Sequence, residues 1–227
     1  MIRKLIGEWL GTFSLVATII GSGITADRLA GGNVAIALMG NTIPTGAILV
    51  VLILVFQPIS GAHFNPAVTF SLAMRREMPV RVGLLYIFTQ ILGGIAGVIV
   101  AHIMFEVDLV SPSTTARHGL GQLVGEFVAT FGLLGTIYGC RKSRPDALPL
   151  AVGLYIIAAF WFTSSTSFAN PAVTISRALS NTFAGIAPTD AAAFIVVQLV
   201  AAALATWFFG WLLAEPDSEP ERRETQK

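Results

Sequence analysis

The sequence predicts an all-α membrane protein of six transmembrane helices and two re-entrant half-helices, related as an inverted repeat. Three observations carry that prediction. The 227-residue chain is 54% hydrophobic and only 12% charged, with a mean hydropathy of +0.74. Soluble domains carry about 25% charged residues, so this composition leaves most of the surface facing lipid. Six apolar stretches reach the roughly 20 residues that a helix needs to cross the hydrocarbon core. The pentapeptide Asn65-Pro66-Ala67-Val68-Thr69 returns as Asn170-Pro171-Ala172-Val173-Thr174, 105 residues later.

In chain order the spans fall at about 5–25, 35–57, 81–104, 119–140, 148–166 and 189–213. The first follows Met1-Ile2-Arg3-Lys4, a beginning that also suits a signal peptide. Its apolar run is longer than the about 7–15 residues of a signal core, and no small-residue cleavage site follows, so it reads as a retained helix. Two shorter stretches, 66–75 and 171–180, are each about 15 Å long as helices, half the hydrocarbon thickness. Lysine and arginine placement sets the orientation. Eleven lie on one side (Arg3, Lys4, Arg75, Arg76, Arg81, Arg141, Lys142, Arg144, Arg222, Arg223 and Lys227) against three on the other (Arg28, Arg117 and Arg177). The first side is expected to be cytoplasmic and to hold both termini. The organisation is one domain over 1–214, with halves of about 1–110 and 119–214, and an acidic tail over 215–227 that is expected to be disordered.

The repeat extends beyond the pentapeptide. Gly7-Glu8-Trp9-Leu10-Gly11-Thr12-Phe13 pairs with Gly125-Glu126-Phe127-Val128-Ala129-Thr130-Phe131, and Gln90-Ile91-Leu92 with Gln198-Leu199-Val200. Each half holds three spans and one half-helix. Three is odd, so the second half enters the membrane from the opposite side, and the half-helices meet near the midplane from opposite faces. Glycines four apart (Gly7 and Gly11, Gly93 and Gly97, Gly121 and Gly125) read as helix-packing contacts.

Proline suits the first helical position and asparagine the cap before it, so Asn65-Pro66 and Asn170-Pro171 each open a helix. Non-helical backbone at membrane depth survives only where it is buried or lines a watery cavity. The segments before the motifs, Gln57–Phe64 and Thr163–Ala169, lack helical periodicity, and their carbonyls are expected to form a ladder of acceptors. Two helix N-termini would each bring about half a positive charge to one midplane spot, beside two asparagine amides. A cation there is repelled and loses hydration, whereas water or a hydroxylated solute recovers its hydrogen bonds. One such motif is a capped turn. Two, each opening a half-length helix in an inverted repeat, specify a site for neutral, hydrogen-bonding solutes.

Across about 210 residues the sequence resembles the aquaporins, or major intrinsic proteins, on the segments GEWLGTF, SGAHFNPAVTF, GEFVATF and ANPAV. The resemblance implies a passive channel without a cofactor or metal, assembled as a homotetramer with one pore per subunit. It makes Asn65, Pro66, Ala67, Asn170, Pro171 and Ala172 the pore midplane. Glu8 and Glu126 become supports behind the re-entrant loops, although an intramembrane carboxylate is otherwise a functional-site candidate. His63 would line the cytoplasmic half of the pore; a histidine tying the loop together is the plainer reading.

Counted from the motifs, the resemblance also places a selectivity filter at Thr45, Ala158, Ser167 and Val173. Water-selective relatives usually hold a bulky aromatic, often a histidine, and an arginine at the positions of Thr45, Ala158 and Val173. Here the ring is small and uncharged, and it is expected to be wide; a register shift of one would substitute Ala159, equally small. Arg177, on the same helix face as Val173 and about 6 Å further along, is the candidate for the outer mouth. The alternative pairs it with a loop carboxylate such as Asp108 or Asp190. A wide ring without arginine resembles bacterial aquaglyceroporins associated with arsenic resistance, which implies passage of arsenous acid, glycerol-like polyols and water. An ordinary water or glycerol channel is the alternative.

Other classes fit the residues less well. A secondary carrier can share inverted repeats but places titratable groups near its substrate, and only His63 lies near Asn65 or Asn170. An enzyme needs a nucleophile with its base, or a metal cluster, and His63, His102 and His118 are scattered. Cys140, the single cysteine, allows no intrachain disulfide and reads as a packing residue. A net charge of +1 gives no sign of a nucleic-acid partner. The expected setting is the lipid bilayer of the cell's inner (plasma) membrane.

Overall fold

The computed structural model describes residues 1–214; the acidic segment 215–227 lies outside the described residues. The helices are α1 (Ile2–Leu29), α2 (Val34–Ser60), α3 (Pro66–Met74), α4 (Val80–Met104), α5 (Leu120–Ser143), α6 (Leu148–Phe162, preceded by a 3₁₀ turn Pro145–Ala147), α7 (Pro171–Arg177) and α8 (Pro188–Leu212). Six of them, all but α3 and α7, are long and apolar enough to cross a membrane, α6 together with its 3₁₀ turn. No strand forms among the described residues, only an isolated bridge from Ser111 to Ser180. The six spans and two half-helices expected from the sequence are present, with some ends moved. α2 runs on to Ser60 with Pro44 and Pro58 inside it, so Gln57–Ser60 are helical and not extended lining. It stops at Gly61, whose φ of 93° is a left-handed cap and whose N–H donates to the Gln57 carbonyl. α6 ends at Phe162 and α7 at Arg177, each a few residues earlier than expected.

Polar and apolar positions are inverted relative to a soluble protein. Glu8, Gln90, Glu126 and Gln198 are fully buried. Large apolar side chains at helical spacing face outward, such as Leu84, Phe88 and Leu92 on α4 and Val200, Leu204, Trp207 and Trp211 on α8. In water those stripes would be an association hazard. In lipid they are the low-energy surface, and the helices satisfy their own backbone.

With an even number of crossings, the start of α1 and the end of α8 share one face, called here the terminal face. Within the halves, α1 packs on α2 and α4, and α5 on α6 and α8. α2 against α6 joins the halves, and each half-helix lies against both α4 and α8. Glycine allows the closest of these approaches. A Cβ on Gly93 or Gly97 would lie 2.5 Å from the Trp9 or Phe13 carbonyl oxygen of α1. Across the halves, a Cβ on Gly46 or Gly153 would lie 2.7 Å from the other's carbonyl oxygen. Gly11 and Gly125 serve the re-entrant segments instead: a Cβ at Gly11 would enter the Phe64 ring, and one at Gly125 would meet the Ser165 nitrogen at 2.9 Å. Gly121 faces open space, which corrects its reading as a packing glycine.

Candidate functional site

The two Asn-Pro-Ala motifs open α3 and α7 as capped helices. Asn65 Oδ1 accepts from the Ala67 N–H (2.8 Å), and Asn170 Oδ1 from the Ala172 and Val173 N–H groups (3.0 and 3.2 Å). Each amide nitrogen then crosses to the other loop. Asn65 Nδ2 donates to the Ala169 carbonyl (2.7 Å) and Asn170 Nδ2 to the Phe64 carbonyl (2.8 Å). The positive ends of the two half-helices are thereby brought together. Each Nδ2 has two N–H groups, so one on each side is left for a solute.

The segments leading into the motifs are strained in the same way. Ala62 and Ser167 (φ 53° and 48°) and Phe64 and Ala169 (φ 49° and 47°) are related by the 105-residue offset, and each is a non-glycine residue in the left-handed region. Such conformations cost about 1–3 kcal/mol each and persist only when the surroundings over-determine them. Two buried carboxylates do so. Glu8 accepts from the N–H groups of His63 (3.0 Å) and Phe64 (2.8 Å), the Ser60 hydroxyl (2.6 Å) and Gln90 Nε2 (2.7 Å). Glu126 accepts from the N–H groups of Phe168 (2.8 Å) and Ala169 (2.9 Å) and from Gln198 Nε2 (2.6 Å). Gln90 and Gln198 also donate to Thr69 and Thr174, both at 3.0 Å, tying each carboxylate to its half-helix. The sequence echo of Gln90 in Gln198 was the signal for this bridge, but its role was not evident there. The Phe64 and Ala169 carbonyls are taken by the asparagines. Those of Gly61, Ala62, His63, Ser167 and Phe168, residues that line the lumen, have no protein donor among the described residues and are free to accept.

A lumen of about 420 Å³ runs along these elements. Its terminal-face end is bounded by Glu77, Met78 and Arg141, its middle by His63, Asn65 and Asn170, and its far end by Thr45, Ser167, Val173 and Arg177. His63 lines the lumen and also ties its loop, with Nδ1 3.0 Å from the Thr69 hydroxyl. The Thr45 hydroxyl donates to its own Asn41 carbonyl (2.8 Å), whereas the buried Ser167 Oγ has no partner.

Ala158 is not in this ring. α6 turns Leu148, Val152, Ile156 and Phe160 to the lumen, one every fourth residue. Ala158 stands about 200° around the helix from Ile156 and is exposed on the outside; Ala159 is buried but off the lumen wall. The count back from Asn170 crossed Thr163–Ala169, which is not helical, so helical register was lost. Ile156 and Phe160 put large apolar side chains on the wall where a ring of small residues was expected.

Arg177 pairs with neither Asp108 nor Asp190. It is 2% exposed, its Nε donates to the Ala184 carbonyl, and its guanidinium lies 3.4 Å from the Phe168 ring centroid. Asp190 instead accepts from the Arg117 N–H (2.7 Å). Sequence reasoning missed Arg117 as a loop clamp: its guanidinium reaches the Gly185 carbonyl (2.9 Å) and the Ser165 carbonyl (3.2 Å) and lies 5.0 Å from the same Phe168 ring. At the other mouth Glu77 accepts from Arg75 Nε (2.7 Å) and Arg141 Nη2 (2.6 Å). Partial burial pushes the Glu77 carboxyl up, but the hydrogen bonds and charges of Arg141 and Arg75 outweigh it and hold the group below the usual carboxylate range.

Known proteins share this architecture. Residues 1–169 match the family model described as major intrinsic protein. The chain is 47% identical over 211 residues to the aquaglyceroporin AqpS of Rhizobium meliloti (strain 1021), covering 93% of this chain and 90% of that protein. It is 34% identical over 174 residues to aquaporin Z of Photorhabdus laumondii, covering 69% of this chain and 74% of the relative. The X-ray structure of the aquaglyceroporin from Plasmodium falciparum superposes with a TM-score of 0.71 at 22% identity, covering 94% of this chain and 97% of that one; at that identity the likeness concerns the fold. The chain belongs to the major intrinsic protein family, as a multi-pass membrane channel and not an enzyme.

Proposed function

We propose that this channel is an aquaglyceroporin that passes small uncharged solutes down their gradients: glycerol-like polyols, arsenous acid and water. The observation that carries the reading is the pair of asparagine amides meeting at the lumen from two helix N-termini, within walls that are otherwise largely apolar. A neutral hydroxylated solute finds donors there and acceptors on the open carbonyls of the two loops, while its carbon skeleton lies against Ile156, Val152 and Leu133. A cation meets two positive helix ends, while Glu8 and Glu126 are turned to the loop N–H groups behind them and do not line the lumen. The name of the Rhizobium relative supports the same class. In this reading Asn65, Pro66, Ala67, Asn170, Pro171 and Ala172 form the selective midplane, and Thr45, Ile156, Ser167 and Val173 the filter beyond it. The terminal face is cytoplasmic by the lysine and arginine count, the membrane is the cell's inner membrane, and the assembly is a homotetramer.

One observation favours a second reading. The large apolar side chains of Ile156 and Phe160 stand on the wall that Ala158 was expected to leave open, which fits a channel confined to water. Proteoliposomes with matched protein content decide between them, by light scattering for water and glycerol and by arsenite uptake. The aquaglyceroporin reading requires glycerol and arsenite flux well above empty vesicles, with weak temperature dependence and no saturation at low millimolar solute. Water flux alone supports the second reading. Saturable, strongly temperature-dependent flux would indicate a carrier.

A further inference from the structure

We propose that Arg177 sets the charge selectivity of the lumen beyond the midplane, by holding an unpaired guanidinium in its wall. The inference rests on the channel reading above and adds the residue that turns cations away before they reach the asparagines.

Arg177 is the largest of the fully buried side chains, and it lines the lumen. Arginine stays protonated in proteins, so this is a fixed positive charge. The ion pairs among the described residues are Arg75 and Arg141 with Glu77, His118 with Asp190, and Arg144 with Asp146; Arg177 is in none of them. The buried Glu126 acts on it only from beyond ion-pair distance, and a buried charge that is not directly paired is costly. An arginine serving packing alone would be expected to close its donors on protein. This one does not: Nη1 is buried without a partner, as is the Ser167 Oγ on the same lumen wall. Both residues line the lumen, so its content is the nearest source of further partners for them.

The guanidinium is also held still. Nε is spent on the Ala184 carbonyl, and the plane lies over Phe168. That ring is itself set edge-on against Phe194, with centroids 5.3 Å apart at 79°. Arg117, on the rim, places a second positive charge near the same ring without lining the lumen. Val173 is one turn nearer the midplane on α7, so Arg177 acts about 6 Å further out. There it repels cations while offering a hydroxylated solute a donor beside Ser167. The cost of burying the charge is then the source of the selectivity.

The test is block of glycerol flux in proteoliposomes by guanidinium added on the side away from the termini. Wild type should resist it. Arg177→Gln, which keeps a donor for the Ala184 carbonyl, should be blocked at a concentration lower by about tenfold or more. Arg177→Lys, which keeps the charge, should behave as wild type. Equal sensitivity of wild type and Arg177→Gln, or of Arg177→Lys and Arg177→Gln, overturns the proposal. If Arg177→Gln does not fold, the wild type alone decides: thiocyanate must block at lower concentration than guanidinium, and the reverse order overturns it. A wild type without glycerol flux overturns the aquaglyceroporin reading instead. The same order of blocker potency is then required of its water flux.

Discussion

Replacing Glu126 by leucine tests whether two buried carboxylates hold the re-entrant loops. Leucine fills the space but accepts nothing, leaving the N–H groups of Phe168 and Ala169 and the Gln198 amide without their acceptor. Each buried donor left unmade costs about 1–3 kcal/mol, so the three together cost roughly 3–9 kcal/mol. Domain stabilities run to about 5–15 kcal/mol, so the loss is a large share of the whole. The left-handed Ser167 and Ala169 lose what fixes them as well. Glu8 serves four donors, and Glu8→Leu should therefore cost more than Glu126→Leu. Glu126→Gln keeps one acceptor oxygen and should fall between wild type and leucine. The assay is the melting temperature of detergent-purified protein, followed by loss of the monodisperse peak on size exclusion. Wild-type melting in both leucine variants, or a milder effect at Glu8 than at Glu126, would refute the donor count.

Three further perturbations address the lumen and its inner mouth. Val173→Arg puts a long cation beside Ile156 and Thr45, so glycerol and arsenite flux should fall roughly tenfold while water flux survives in part; unaltered arsenite flux would move the constriction to Phe160 or Arg177. Asn65→Asp replaces the donor to the Ala169 carbonyl by an oxygen and adds a negative charge between two helix N-termini, so bilayer recordings should show a cation leak together with slower glycerol flux. The same change at Asn170 should match it, and no change in either would count against the pairing. The Glu77 carboxyl titrates lower folded than unfolded, so its clamp contributes stability above the ordinary carboxylate range and loses it as pH falls through the folded value. As a partly exposed cluster of three side chains it is worth no more than about 1 kcal/mol. Glu77→Gln should flatten the fall in melting temperature between about pH 5 and pH 3, and an unchanged profile would remove Glu77 from the clamp.

Much of the architecture was legible because two different signals agreed. Asn before Pro marks a helix start from local chemistry alone, and its recurrence after an odd number of spans dictates opposite insertion. Glu8 and Glu126 were legible as partners of the loops because their flanking residues repeat. The register of α6 was not. Between Phe162 and Pro171 the chain leaves helical geometry, so a residue count no longer fixes an angle, and Ala158 was assigned to a wall that belongs to Ile156. The stretch from Gln57 lacks helical periodicity, yet α2 continues through Ser60 and ends only at the left-handed cap of Gly61. Arg117 carried no signal, since its contacts lie 48 to 73 residues away in sequence and come from a loop without periodicity.

The exchange of amides between the two loops has a consequence for biosynthesis. The hydrogen bond from Asn65 joins residues 104 apart, and that from Asn170 joins residues 106 apart. While the chain is being made, the first three spans can enter the bilayer and α3 can form, but Asn65 Nδ2 has no Ala169 carbonyl to meet until the second half has arrived. Contacts this distant in sequence are formed late. The first loop must therefore wait in the membrane with an open amide, held only by its own half through Glu8, Ser60, Gln90 and Thr69, and a chain cut before Ala169 would be inserted without a lumen.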